Sequence, residues 1–253
     1  MDTIFVVGMA GSGKSYLVSA FQDWLKMKEL NVITVNLDPG AISLPYNPTV
    51  DCRLFVDIRH LMEEYQLGPN GALIMAADLI ADHMEEIRQN IEDEAADLVI
   101  VDTPGQLELF AFRESGPYIS KSISDEGKGV LYLFDGPFSK SPGNYVSNVF
   151  MAAAVYNRLL RPQVYAITKT DMLREEEVDR IVTWSEDIDE LERALEAELG
   201  KTASLINRDL ARAISEVGLM SEPIPVSAKS FTGFIELYAA LTRIFAGGEE
   251  PLP

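Results

Sequence analysis

Runs of consecutive apolar residues alternate with stretches of helical periodicity along the chain. The apolar runs are rich in Val, Ile and Leu and show no polar alternation, which is typical of parallel strands buried on both faces. Strand–helix alternation predicts an α/β fold, a doubly wound, mostly parallel sheet flanked by crossover helices. The predicted strands are Thr3–Gly8, Asn31–Asn36, Asp97–Asp102, Gly129–Asp135, Gln163–Thr168 and Pro223–Val226.

Two stretches between the strands carry apolar side chains at steps of three and four residues, the period of an amphipathic helix. One long helix is predicted from about Ala72 to Ile91, with charged residues on its opposite face, and another over Asn144–Leu160. We expect a single domain over residues 1–253, with one insertion at about 57–95 and a small, acidic helical insertion at about 172–222.

The chain is strongly acidic, with 40 acidic against 21 basic residues and a formal net charge of −19. Nucleic acid and anionic membranes bind basic surfaces, so neither is expected as the main partner. The acidity is concentrated at 85–97 and 175–198. Such runs are usually solvated helix faces; a basic protein partner and a salt-rich cytoplasm are the alternative explanations.

Neither membrane insertion nor secretion is expected. No window approaches 18 uninterrupted apolar residues, and the first strand begins without a basic segment before it. Cys52 is the only cysteine, which excludes an internal disulfide and favours a reducing, cytoplasmic location. The simpler interpretation of Cys52 is a small buried residue.

A glycine-rich segment, Gly8–Ser15 (GMAGSGKS), joins the first predicted strand to an amphipathic stretch. This is the P-loop pattern in its strand–loop–helix context, where backbone N–H groups converge on phosphate oxygens at a helix N-terminus. Lys14 is expected to reach the β- and γ-phosphates, and the Ser15 hydroxyl to bind Mg²⁺. The residues predicted to bind the nucleotide here are Gly11, Ser12, Gly13, Lys14, Ser15 and Tyr16.

The third predicted strand ends in the sequence DTPGQ, at 102–106. The carboxyl end of such a strand lies beside the P-loop, where Asp102 can hold Mg²⁺ directly or through water. The Gly105 N–H can approach a γ-phosphate because no Cβ intervenes, and Gln106 is placed to orient an attacking water. The alternative is a strand followed by a simple turn.

The fifth predicted strand leads into the sequence TKTD, at 168–171, where GTPases commonly have Asn-Lys-x-Asp. The Asp171 carboxylate can accept hydrogen bonds from guanine N1–H and N2–H₂, which adenine cannot supply, and the Lys169 stem can pack along the base. Thr168 replaces the usual asparagine, which removes an amide contact.

Ser227, Ala228 and Lys229 follow the last predicted strand. GTPases commonly use a Ser-Ala-Lys segment at this place to contact the guanine O6 through backbone amides. Together with Asp171, this segment favours guanine over adenine as the bound base.

Gly68, Pro69 and Asn70 lie before the helix predicted from Ala72. Alone, they are typical of a turn in which Asn70 caps that helix. In order with the motifs above, however, they make the chain resemble the GPN-loop GTPases, homodimeric members of the SIMIBI class of P-loop proteins in archaea and eukaryotes. The resemblance covers about 1–245 and is greatest to the archaeal form, since the chain is compact and has no long tail.

The resemblance implies a nucleotide site completed by a second protomer. In this family the Gly-Pro-Asn loop of one protomer reaches the other's site, so Gly68, Pro69 and Asn70 would lie near the partner's γ-phosphate. It also implies that Asp38 faces Mg²⁺ and the attacking water, with a simple Asp-Pro-Gly turn as the alternative. Eukaryotic relatives resemble assembly and nuclear-import factors for RNA polymerase, which implies a protein client.

The expected activity is Mg²⁺-dependent GTP hydrolysis in a homodimer, by positioning and charge stabilisation. Arg53, Arg59 and Arg113 are candidates for a catalytic arginine, but a surface or ion-pairing role is the favoured interpretation of each. The expected catalytic residues are Lys14, Asp38, Asn70 and Gln106, and the expected metal-binding residues are Ser15, Asp38 and Asp102.

Three other functions fit parts of the sequence. A dimeric ATPase of the deviant Walker A type is disfavoured because Met9 stands where those proteins have a lysine. A nucleoside or metabolite kinase is disfavoured because the region after Asp171 is acidic rather than arginine-rich. The third is an assembly factor with negligible turnover of its own, for which apolar helices near 107–124 would supply a client groove unless they pack in the core.

Overall fold

The computed structural model describes residues 1–125, 127–216 and 222–246. The predicted domain (1–253) and acidic insertion (172–222) therefore each include a segment, 247–253 and 217–221, that lies outside the described residues. The described strands are β1 (Asp2–Gly8), β2 (Val32–Asn36), β3 (Val50–Asp51), β4 (Leu98–Asp102), β5 (Lys128–Asp135), β6 (Gln163–Thr168) and β7 (Ile224–Pro225). The described helices are α1 (Lys14–Lys26), α2 (Ile58–Glu64), α3 (Pro69–Asp82), α4 (Met84–Asp93), α5 (Leu107–Ala111), α6 (Ser115–Ser122), α7 (Gly136–Ser139), α8 (Pro142–Leu159), α9 (Glu175–Glu186), α10 (Ile188–Leu199), α11 (Lys201–Glu216) and α12 (Phe234–Phe245).

The seven strands form one sheet in the order β3-β2-β4-β1-β5-β6-β7. Every pair of neighbouring strands is parallel, which confirms the predicted α/β fold. The six predicted strands differ from the observed ones by one residue at most at either end. The edge strand β3 was missed because two residues are too few to produce an apolar run.

The sheet is buried on both faces, which explains why its strands do not alternate in polarity. In β1, Phe5 and Val7 pack into one apolar cluster, with residues of α3, α4 and α8. Ile4 and Val6 point to the opposite face and pack with α1 and α12. Burial on both faces thus holds the strands in place, and the loops at their carboxyl ends carry the candidate site.

The helix predicted as one element over Ala72–Ile91 is two helices, α3 and α4, joined at His83. It also begins earlier than predicted, since Pro69 occupies the first helical position, where its fixed φ and missing N–H are tolerated. Gly68, not Asn70, is the residue that precedes the helix, and its backbone is extended. The interpretation of Asn70 as a helix cap is therefore wrong.

The segment predicted as an acidic helical insertion contains α9, α10 and α11. Leu191 and Leu195 of α10 are fully buried, while Glu175 and Glu176 of α9 are exposed. Both α10 and α11 pack on α8. The acidic run at 175–198 is thus largely the solvated face of packed helices.

Helices α5 and α6 do not provide the apolar surface expected over 107–124. Phe112 and Tyr118 are exposed, but most apolar side chains there belong to the core. Core packing, the alternative named for this segment, therefore explains its apolar pattern. The buried apolar residues are Leu107, Leu109, Phe110, Ala111, Ile119 and Ile123. Among the described residues, no helix combines the length and apolarity needed to cross a membrane.

Candidate nucleotide-binding site

Two adjoining cavities lie where the loops leave the carboxyl ends of the parallel strands. We call the first, of about 530 Å³, the phosphate cavity; the second, of about 610 Å³, is the base cavity. The phosphate cavity is lined by Gly11, Gly13, Lys14, Ser15, Tyr16, Asp38, Ser43, Leu44, Pro45, Thr103, Gly105 and Lys169. The base cavity is lined by Gly13, Tyr16, Leu17, Ser19, Ala20, Asp23, Pro45, Thr168, Lys169, Asp171, Met172, Val226, Ala228, Lys229 and Phe231.

The segment between β1 and α1 adopts a conformation that requires glycine. Gly11 and Gly13 have φ of 80° and 89°, in the left-handed region that side chains with a Cβ rarely enter. Gly13 precedes α1 and has no side chain to cap it, so the first N–H groups of the helix remain available at the cavity. This is the arrangement in which helix N-termini bind phosphate.

Lys14 is buried at the base of the phosphate cavity, with 6% of its surface exposed. Its Nζ donates to the carbonyl oxygens of Gly8, at 2.8 Å, and Met9, at 3.1 Å. Burial lowers the pKa of the ammonium group, and the charges of Asp102 and Asp38 oppose that shift. A buried cation beside exposed N–H groups is suited to an anionic ligand.

Asp102 presents a buried carboxylate with one oxygen bound and one free. It is 1% exposed; its Oδ2 accepts a hydrogen bond of 2.9 Å from the Tyr46 hydroxyl. Its Oδ1 is buried and has no hydrogen-bond partner in the described part of the chain. Burial raises the pKa of Asp102 to about 6, against the lowering effects of the Ser15 and Tyr46 hydroxyls and of Lys14.

These groups fit Mg²⁺. Carboxylate and hydroxyl oxygens are the donors that Mg²⁺ prefers, and the buried Asp102 Oδ1 lacks the partner that a cation would supply. The described residues contain no cluster of three or more His, Cys, Asp or Glu side chains able to hold a metal. Mg²⁺ does not require one, because it typically takes one or two carboxylates and completes its shell with phosphate oxygens and water.

Asp38 joins the loop after β2 to the loop after β4. Its Oδ1 accepts from the Gly40 N–H at 2.9 Å, and its Oδ2 accepts from the Gly105 N–H at 3.0 Å. Asp38 therefore forms the predicted Asp-Pro-Gly turn and also lines the phosphate cavity. The Gly105 N–H, expected to approach a γ-phosphate, instead donates to Asp38.

A buried amide holds the backbone of Asp38. The Asn36 Oδ1 accepts from the Asp38 N–H at 3.0 Å, and its Nδ2 donates to Asp51 at 2.9 Å. Asp51 in turn pairs with Arg53, whose guanidinium also donates to the Ala41 carbonyl at 2.7 Å. The sequence pattern did not indicate this network, since its members lie on separate elements.

The three candidate arginines do not line the phosphate cavity in the described part of the chain. Arg53 is paired with Asp51, and Arg113 is paired with Asp78. Arg59 is exposed. Ion pairing, the alternative named for these residues, accounts for two of the three.

Two predicted catalytic positions lie outside the lining of the phosphate cavity, as far as the structure describes it. Gln106 is half-buried in extended backbone immediately before α5. Gly68, Pro69 and Asn70 are exposed at the start of α3. The structure thus brings Lys14, Ser15, Asp38, Asp102 and Gly105 together and leaves these residues apart.

Thr168 connects the P-loop to strand β5 by hydrogen bonds. Its Oγ1 lies 2.7 Å from the Ser12 carbonyl oxygen and 3.1 Å from the Phe134 carbonyl oxygen, so one hydroxyl joins the loop to β5. Thr168 is 4% exposed, which shields both contacts from water. The threonine that replaces the usual asparagine therefore ties the P-loop to the sheet.

Lys169 spans the junction of the two cavities. It has a φ of 60°, and its Nζ donates to the Gly11 carbonyl and to Asp135 Oδ2, each at 2.6 Å. Asp135 was missed as a site residue. Its position, a carboxylate at the carboxyl end of a buried strand, is the same signal that identified Asp102.

Asp171, which lines the base cavity, is hydrogen-bonded to Ser227. The Ser227 hydroxyl donates to Asp171 Oδ1 at 2.8 Å and accepts from the Lys229 N–H at 3.3 Å. Asp171 is exposed, and Ala228 lines the same cavity. The two segments proposed to contact the base are therefore adjacent, although far apart in sequence.

Comparisons with known proteins identify relatives of this chain. The family model described as "Conserved hypothetical ATP binding protein" matches residues 6–247. The GPN-loop GTPase PAB0955 of Pyrococcus abyssi is 34% identical over 236 residues, which is 92% of this chain and 93% of that protein. Its crystal structure, described as a GTPase in apo form, superposes with a TM-score of 0.85, at 32% identity, over 96% of this chain and 97% of the other.

Longer eukaryotic proteins match as well. GPN-loop GTPase QQT2 of Arabidopsis thaliana is 33% identical over 93% of this chain, and GPN-loop GTPase 1 of Saccharomyces cerevisiae is 28% identical over 92%. The chain spans 62% of the length of each of these two relatives.

Proposed function

The chain belongs to the GPN-loop GTPase family, and from this premise we propose that it binds GTP and hydrolyses it to GDP and phosphate. The observation that carries the proposal is the continuity of the two cavities, which share Gly13, Tyr16, Pro45 and Lys169. A nucleotide laid across them would have its phosphates at Lys14 and its base at Asp171.

Guanine is favoured over adenine by the hydrogen-bonding groups at the base cavity. Guanine presents two donors, N1–H and N2–H₂, to a carboxylate such as Asp171, whereas adenine has an acceptor at N1. The Ser227 hydroxyl, which donates to Asp171 Oδ1, can hold that carboxylate in orientation. The matching family model is described as ATP-binding, so direct comparison of GTP with ATP decides the base.

At the phosphate end, Lys14 would exchange its hydrogen bonds to Gly8 and Met9 for bonds to the β- and γ-phosphates. Ser15 and Asp102 would hold Mg²⁺, which when bound withdraws negative charge from the phosphate oxygens. The N–H groups at the start of α1 would bind phosphate oxygens in fixed positions. These groups need no rearrangement of the fold, so they stabilise charge as it develops.

Hydrolysis requires a water in line with the bond between the γ-phosphorus and its bridging oxygen. Asp38, oriented by the Gly40 and Gly105 N–H groups, is suited to accept a hydrogen bond from that water. Attack forms a new P–O bond, the bridging P–O bond breaks with its electron pair leaving on GDP, and the proton lost by the water passes to the released phosphate. Loss of the γ-phosphate would release the loop after β4, with Gly105 and Gln106, from its phosphate-bound position.

We also propose that the active form is a homodimer in which Asn70 serves the site of the other chain. Gly68, Pro69 and Asn70 are exposed and absent from the lining of their own phosphate cavity, as far as it is described. A separate groove of about 380 Å³ is lined by Pro69 and by Ile42, which is 96% exposed. Because Ile42 and Pro69 line the same groove, a second copy that covered the Gly-Pro-Asn segment would bury Ile42 as well.

The second proposed function is nucleotide-controlled binding of a client protein, in which GTP hydrolysis determines when the client is released. This function, including a role in assembly of RNA polymerase, rests only on the family resemblance. A complex with a client that forms in one nucleotide state alone would favour this role over that of a stand-alone enzyme.

We also propose that the protein acts in the cytoplasm. Its single cysteine, Cys52, is buried, which suits a reducing compartment.

The test of the proposed activity is hydrolysis of GTP and ATP side by side, with and without Mg²⁺, over a range of protein concentrations. We expect turnover of GTP only, dependent on Mg²⁺, with specific activity that rises to a plateau as dimers form. Equal turnover of ATP would contradict the proposed role of Asp171. Specific activity that stays constant down to concentrations at which the protein sediments as a monomer would contradict the shared site.

A further inference from the structure

The loop of residues 41–49, between β2 and β3, crosses the phosphate cavity. Its residues Ser43, Leu44 and Pro45 line that cavity. The loop is attached at its middle and at its last residue, because the Pro45 carbonyl accepts from the Ser19 hydroxyl at 3.1 Å and the Thr49 N–H donates to the Thr34 carbonyl at 2.8 Å. The position of this loop therefore shapes the space in which phosphates would bind.

Tyr46 connects this loop to the carboxylate of β4. Its hydroxyl donates to Asp102 Oδ2 at 2.9 Å, and its half-buried ring packs against the apolar cluster formed with α1. Asp102 is almost fully buried, so its carboxylate cannot exchange this bond for one to bulk water. With Oδ2 fixed, the direction of the unpartnered Oδ1 is fixed as well.

We propose that Tyr46 is a positioning residue for Mg²⁺: its hydroxyl holds Asp102 with Oδ1 towards the metal site and joins the 41–49 loop to that site. The inference rests on the proposed function, since it concerns the metal that accompanies GTP. Its consequence is that loss of the Tyr46 hydroxyl should weaken binding of Mg²⁺ and leave binding of the nucleotide without metal unchanged.

Tyr46→Phe tests the inference, because it removes the hydroxyl and keeps the ring. Tyr238→Phe is the matched control, since Tyr238 is also half-buried and packs against the same apolar cluster, next to Trp24. The measurement is the affinity for a fluorescent GDP analogue, in EDTA and over a series of Mg²⁺ concentrations, together with the melting temperature of each protein.

For Tyr46→Phe we expect unchanged GDP affinity in EDTA. The Mg²⁺ concentration that gives half of the metal-dependent increase in affinity should rise about ten-fold or more, the usual effect of losing a group that orients a metal ligand. Tyr238→Phe should behave as the wild type. If Tyr46 had a purely structural role, its loss would lower GDP affinity in EDTA as well. A higher Mg²⁺ requirement with unchanged affinity in EDTA therefore distinguishes the positioning role.

Two results would overturn the role of Tyr46 while GTP binding stands. One is a Mg²⁺ requirement equal in Tyr46→Phe and wild type. The other is an equal loss of affinity in EDTA and in Mg²⁺, with a lowered melting temperature, because it would mean that the hydroxyl serves packing alone. Failure of the wild type to bind the guanine nucleotide at all would overturn the proposed function and this inference with it.

Discussion

The P-loop and the Gly-Pro-Asn segment differ in how far their own chain surrounds them. Lys14 is 6% exposed and donates two hydrogen bonds to the loop that carries it. Asn70 is exposed, and its side chain has no hydrogen-bond partner in the described part of the chain. The comparison shows that Lys14 is held by contacts within its own chain, whereas Gly68, Pro69 and Asn70 do not line the phosphate cavity of the described chain.

The largest effect is expected from Lys14→Ala, which removes the buried cation of the P-loop. GTP turnover should fall on the order of 10²–10³-fold, as for other preorganised donors to developing charge. Lys26→Ala, at the far end of α1, is the matched control and should leave turnover unchanged. A steady-state phosphate-release assay measures both; near-normal turnover of Lys14→Ala would contradict the assignment of the P-loop.

Asp171→Asn should change the base that is accepted. It replaces one carboxylate acceptor by an amide donor and removes the charge from both hydrogen bonds, which are worth roughly 1.5–3 kcal/mol each, so GTP affinity should fall by at least about 10²-fold. The amide can donate to the C2 carbonyl of xanthine, so XTP should be bound better than GTP. Asp23→Asn, in the same cavity, is the control, and a switch to XTP there would show that the wrong carboxylate was assigned.

Asn70→Ala should slow hydrolysis about ten-fold, the effect of losing one hydrogen bond to a charged phosphate. GDP affinity should not change, because the γ-phosphate is absent from GDP. Glu63→Ala, on exposed α2, serves as the control. An unchanged rate would remove Asn70 from the mechanism and, with it, the contrast between the two halves of the site.

The smallest effect on turnover is expected from Thr168→Val, which leaves the Ser12 and Phe134 carbonyls without their shared donor. The free energy of unfolding should fall by about 1–3 kcal/mol, measured by denaturant titration. Thr168→Ser keeps the hydroxyl and should retain most of that stability. Equal stability of both variants would mean that Thr168 does not brace the P-loop.

The sheet and the P-loop could be predicted from sequence because their signals are local. Buried parallel strands are continuous apolar runs, and left-handed backbone at Gly11 and Gly13 leaves few alternatives to glycine. The break at His83 was not predictable from apolar spacing, because both α3 and α4 keep buried residues at helical steps. Periodicity reports which face is buried, not where a helix ends.

Contacts between distant segments were not predictable. Tyr46 lies 56 positions from Asp102 in a loop without periodicity, and nothing in its neighbourhood of the sequence marks it. Asp135 could have been found, because it ends a buried strand as Asp102 does. The bracing role of Thr168 could not, since a hydroxyl has many partners and only the fold decides between them.

A mixed dimer tests the shared site most directly. Lys14→Ala and Asn70→Ala chains, carrying different tags, would be co-expressed and the mixed pair purified. In that pair the Asn70→Ala chain keeps its own Lys14 and receives Asn70 from its partner, so one site of two is intact. We predict that the mixed dimer hydrolyses GTP at about half the wild-type rate, well above either parent. A rate no higher than the mean of the two parents would contradict the account.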